Sequence, residues 1–136
     1  MSYEERGTWV YLVVTLGTYV AYAVILLRRS GPLVDVAYKS TLLWAIGIAV
    51  AASVVGRILV EVFARGDQKT DVRDRDINRI GEYVGGAVLG VGMVLPLALT
   101  LLEARHFWIA NAMYAVFVLA AVVGSVVKLV AYRRGF

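Results

Sequence analysis

The sequence predicts an all-α integral membrane protein, a four-helix transmembrane bundle in a single domain. Three observations carry that prediction. Hydrophobic residues make up 60% of the 136 residues and charged residues only 18%, far from a soluble average. The apolar residues gather into four runs, each about the ~20 residues a helix needs to cross a bilayer. Basic residues sit at the ends of those runs, where anionic headgroups would meet them. The expected spans are 8–28, 40–63, 80–102 and 107–130, with no strands.

Residues 1–7 are short, polar and acidic-leaning, and Thr8 to Leu27 is the first apolar run. Ala21-Tyr22-Ala23 resembles a signal-peptidase site. The segment before it is not basic, and the run continues through Val24-Ile25-Leu26-Leu27, so the segment is expected to stay as a span. Tyr11, Thr15, Thr18 and Tyr22 fall on one face at helical spacing. Such hydroxyls serve hydrogen bonding inside a bundle, or line a hydrated path. Arg28-Arg29 ends the span, and a loop with a Gly31-Pro32 turn signal follows.

The second span runs from Ser40 to Phe63 and is rich in Ala, Gly and Ser, so a neighbouring helix can approach closely. Arg57 and Glu61 stand four apart near its end. Ionisable residues within spans are rare and mark functional candidates, but near an interface long side chains also reach water as plain anchors.

After a polar linker, 64–70, comes the stretch on which the chain is organised, Asp71 to Leu102. It opens as a charged helix and runs unbroken into a Gly-rich apolar segment. Asp71 is the expected N-cap, paired with Asp74 in the first turn and with Arg75 along one face. Ile77, Ile80 and Val84 recur on another face. Asp67, Asp71, Asp74 and Asp76 interleave with Arg73, Arg75 and Arg79 without cation-binding loop spacing, which predicts a solvated ion-pair network rather than a metal site. Gly81 with Gly85, and Gly86 with Gly90, form two G-x-x-x-G motifs. They suit close helix packing within the chain (with the second span the competitor for the groove), a dimer face or a ligand groove. Pro96 lacks an N–H and predicts a kink in the outer half.

Glu103 to His106 closes a short hairpin, and Phe107 to Val130 is the fourth span, with small residues at Ala120 and Gly124. Asn111 predicts an interhelical hydrogen bond or a ligand contact. His106 is the single histidine, a candidate interfacial titrating group without partners at metal spacing.

Both termini and the 64–80 loop share one side, with Arg6, Arg65, Lys69, Arg73, Arg75, Arg79, Lys128, Arg133 and Arg134. Arg28, Arg29, Lys39 and Arg105 lie on the other. The excess predicts cytoplasmic termini. Cysteine is absent, which removes thiol catalysis and thiolate metal sites. No nucleophile triad, P-loop or dinucleotide turn is present. No enzyme activity, cofactor or metal is expected, and the net charge of +4 is no nucleic-acid signature.

Two segments resemble a known group. KTDVRDRDINRIGEYVG (69–85) is similar to the D-x-R-D-x-x-I segment before a span in small bacterial membrane proteins, with Val72 where such segments often carry Glu. HFWIANAMYAVFVLAAVVGSVVKLVAYRRGF (106–136) resembles the last span of small actinobacterial membrane proteins. The resemblance implies a four-span fold in a bacterial inner membrane and brings no catalytic residues.

The leading functional expectation is a non-catalytic interaction, sensory or scaffold component. Its partners would be the lipid bilayer and a second copy or another membrane protein. The rival is a small transporter or channel, acting as a homodimer. The features behind it are the Tyr11–Thr15–Thr18–Tyr22 stripe, Arg57, Glu61, Asn111 and the Pro96 kink.

Overall fold

The computed structural model describes residues 2–29, 31, 37–63 and 72–135. The helices are α1 (Tyr3–Leu27), α2 (Lys39–Phe63), α3 (Val72–Gly92), α4 (Val94–Leu101) and α5 (His106–Arg134). No strand occurs among the described residues. α3 and α4 together form the third of four stretches long and apolar enough to cross a membrane. The fold is therefore an all-α four-helix bundle of span-length helices, compatible with a multi-pass membrane protein.

The helices outrun the apolar segments. α1 starts at Tyr3, so residues 3–7 of the polar segment are helical. Ser2 is its N-cap, its hydroxyl accepting from the Glu5 N–H at 3.1 Å. Glu4 and Glu5 lie in the first turn, where the helix dipole favours negative charge. α3 is helical from Val72. Asp71, the expected cap, lies outside the described residues, as do its pairing with Arg75, Asp67, the 64–70 linker and Pro32 of the turn signal.

The third span breaks where the sequence predicts a kink. Met93 separates α3 from α4. Pro96 has no N–H to give to the Gly92 carbonyl one turn earlier. The ladder resumes on both sides, Met93 N–H to Leu89 O at 2.9 Å and Leu97 N–H to Met93 O at 3.2 Å.

α4 ends in a Schellman-type cap. The Ala104 N–H donates to Leu99 O at 2.9 Å and the Glu103 N–H to Thr100 O at 3.0 Å. The motif demands a left-handed residue, usually glycine. Glu103 fills it at φ 55°, which costs an L-residue about 1 kcal/mol. Glu103→Gly is expected to raise the unfolding temperature of the detergent-solubilised protein, and an unchanged or lower value would contradict the assignment.

The helices pack in the order α2, α1, α5, then α3 with α4. α5 is the centre of the molecule and α2 its edge. α2 rests on α1 through Ala45 and Gly56, and it is α5, not the second span, that meets Gly81, Gly85 and Gly92 of α3. At the end away from the termini, α1, α2 and α5 share an apolar and aromatic core of Tyr22, Leu26, Tyr38, Ala45, Phe107, Tyr114 and Val118. Tyr114 meets Tyr19 and Tyr22 edge to face, each at 5.2 Å.

Candidate functional site

One cluster of polar residues that joins the spans lies at the end bearing both termini. There the start of α1, the end of α2, the start of α3 and the end of α5 meet. Glu4 is only 8% exposed. Its carboxylate faces Arg57 of α2 at 3.6 Å and accepts from the Asn78 amide of α3 at 3.4 Å. Asp74 is 7% exposed and accepts from the Tyr132 hydroxyl of α5 at 2.9 Å. Arg73 donates to the Tyr132 carbonyl at 3.1 Å. Burial of a carboxylate requires such partners. Asp74 thus departs from the expected solvated network: it is an interhelical acceptor on the face of α3 that also carries Ile77, fully buried one turn on.

Beside this cluster a groove of ≈ 460 Å³ lies between α1, α3 and α5. Its floor is Gly81, Gly85, Ala120 and Gly124. Thr8, Tyr11 and Ser125 bring hydroxyls, and Lys128 and Glu82 stand on its wall with Nζ and Oε1 4.0 Å apart. The floor exists because both backbones lack bulk. A Cβ built on Gly124 would lie 2.9 Å from the Gly81 carbonyl oxygen, and one on Gly85 would lie 3.2 Å from that of Ala120. The second motif behaves differently: Gly86 and Gly90 are exposed, with nothing near where a Cβ would stand.

Asn111 is an interhelical bridge. Its Oδ1 accepts from the Tyr22 hydroxyl at 2.6 Å, and its Nδ2 donates to the Phe107 carbonyl at 2.8 Å. The stripe on α1 is largely spoken for. Thr18 donates to the Val14 carbonyl, Tyr22 reaches Asn111, and Tyr11 lines the groove. A double-mutant cycle of Tyr22→Phe and Asn111→Leu is expected to show a coupling of about 0.6–1.7 kcal/mol, the range for hydrogen bonds between membrane helices. Additive effects would remove the bridge from the account.

The other candidates do not converge. Arg57 reaches the Glu4 cluster, Glu61 stands exposed one turn further along α2, and His106 is the exposed first residue of α5, at the opposite end. Among the described residues no three His, Cys, Asp or Glu side chains are grouped as metal ligands would be. Chemically, the cluster fixes helices to one another, and the groove suits a slender or amphiphilic occupant. Sequence reading missed Glu4 by starting the first span at Thr8 and leaving residues 1–7 as a short polar segment outside it. The signal was present: Glu4, Thr8 and Leu12, all buried, continue the i, i+4 face of α1 back to the chain start.

Known proteins add nothing to this geometry: no family matches the chain, and no curated protein or solved structure is similar to it.

Proposed function

We propose that the protein is a non-catalytic interaction or scaffold component of a bacterial inner membrane, self-associating side by side through α3. The observation that carries the reading is the division of labour between the two G-x-x-x-G motifs. Gly81 and Gly85 are occupied by α5, whereas Gly86, at the rim of the groove, and Gly90 are exposed with open space where a Cβ would stand. Helices in lipid associate through such small-residue surfaces, by close van der Waals packing, and a two-fold pair is the commonest closed assembly. Gly90→Leu should abolish the dimer in single-molecule photobleaching while the monomer stays folded, and Gly85→Leu should disrupt the monomer itself. A wild-type protein that remains monomeric at every density in the bilayer, or a dimer indifferent to Gly90→Leu, overturns the proposal.

The orientation that accompanies it has both termini in the cytoplasm. Arg29, which runs against the basic-residue bias, has a local role in support: it donates to the Ala37 carbonyl and to the Thr41 hydroxyl, the latter at 2.8 Å. A periplasm-active reporter fused after Phe136 should be silent, and strong activity would reverse the topology.

The groove beside Lys128 favours a second reading, a small transporter. Substrate-specific flux in proteoliposomes, lost in Lys128→Ala and in Arg57→Ala with Glu61→Ala, would replace the first reading.

A further inference from the structure

A second groove, of ≈ 270 Å³, runs along the opposite side of the α1–α5 contact, near the termini. Its walls are apolar along the helix axes, with Leu12, Val126 and Val130. One end is basic. Arg133 and Arg134, in the last turn of α5, close it together with Trp9. The Arg133 guanidinium lies 5.7 Å from the Trp9 ring centroid, a cation–π contact that orients it over the groove. No carboxylate among the described residues pairs with either arginine. The buried Trp9 indole N–H also lacks an acceptor among the described residues, although such a group normally finds one.

We infer that this groove binds one anionic phospholipid, its phosphate held by Arg133 and Arg134 and an acyl chain laid along Leu12, Val126 and Val130. The inference rests on α1 and α5 crossing the bilayer, but not on self-association through α3. Charge complementarity selects the occupant. Two guanidiniums present planar donor forks that match a phosphate, and a basic pocket at the interface end of an apolar helix–helix seam is where an anionic headgroup and its chain are met together. Trp9 supplies an amphipathic ring at headgroup depth and an N–H able to turn toward a glycerol or phosphate oxygen. A zwitterionic lipid offers the same chain and phosphate, but its own cation opposes the arginines.

The test uses the full chain with Trp44→Phe and Trp108→Phe, leaving Trp9 as the sole indole. The protein is reconstituted into phosphatidylcholine vesicles with brominated phosphatidylglycerol or brominated phosphatidylcholine at equal mole fraction. Quenching of Trp9 should show about tenfold apparent preference for the anionic quencher. Arg133→Gln with Arg134→Gln should abolish the preference. Arg75→Gln with Arg79→Gln removes the same charge from exposed positions at the same end and should preserve it. Excess inorganic phosphate should leave the quenching unchanged. Equal quenching by the two lipids, equal loss in both arginine pairs, or displacement by free phosphate overturns the proposal. If the double glutamine variant fails to reconstitute, Arg133→Lys with Arg134→Lys decides: it keeps the charge without the fork and should weaken the preference, and an undiminished preference contradicts phosphate recognition by the guanidiniums.

Discussion

Gly124→Leu is expected to be among the most damaging substitutions in the chain, separating α3 from α5. The Cβ alone would stand 2.9 Å from the Gly81 carbonyl oxygen and 3.5 Å from the Gly85 Cα. Both obstacles are backbone, so no rotamer change makes room, and the helices must move apart. Overpacking of this kind costs about 1–3 kcal/mol for small additions, and leucine adds more atoms than that. The displacement also opens the floor of the groove and strains the Asp74–Tyr132 contact nearer the termini. Gly81→Ala is the control from the facing helix. The nearest atoms to its Cβ would all be side-chain carbons of Lys128, which, unlike backbone, can change rotamer to make room. Thermal unfolding in detergent should therefore show a large loss for Gly124→Leu and a small one for Gly81→Ala. Equal losses would mean that the α3–α5 backbones are not in contact.

Gly56→Leu is expected to release α2 from α1. A Cβ at Gly56 runs directly into the Val10 side chain. Valine is short and stiff at χ1, so the collision is relieved only by moving a helix. α2 has little else to hold it, because its main packing partner is α1 and its one buried residue is Ala45. The expected result is a loss of about 1–3 kcal/mol, with faster amide hydrogen exchange confined to 39–63. Gly47→Leu, on the outward face with nothing near its Cβ position, should leave both unchanged. Matching effects from the two substitutions would show that α2 does not use the Gly56 face.

The helices were legible because a bilayer needs long apolar runs, and runs are visible without partners. The break at Met93 was legible for a similar reason: proline removes a donor wherever it stands in a helix. Glycine spacing did not reveal which helix each motif meets. Gly81 and Gly86 begin identical patterns, yet one is buried against α5 and the other is exposed, a difference set by rotation of α3 about its axis. Asn111, read as a bridge or a ligand contact, bonds Tyr22 across helices, since a part-buried amide in a span needs partners. Glu4 and Asp74 did not read as buried. A carboxylate near a span end looks solvated until the helix that covers it is known, and here the cover comes from α3 and α5, far away in sequence. The basic end of the Trp9 groove was hidden in the same way, half of it near each terminus.

The account stands most directly on which helices are neighbours, and the cysteine-free chain lets one measurement test that. A Cβ at Gly92 would lie 3.6 Å from the Val116 Cβ, and one at Gly56 would lie 3.8 Å from the Val10 Cβ, both within disulfide range. Gly92→Cys with Val116→Cys, and Val10→Cys with Gly56→Cys, should form intramolecular disulfides on mild oxidation in carbonate-washed membranes. Gly47→Cys with Gly90→Cys, which joins α2 to α3, should not do so within a monomer. Failure of the first two pairs, with cross-linking of the third in the monomer band, would contradict the α2–α1–α5–α3 order.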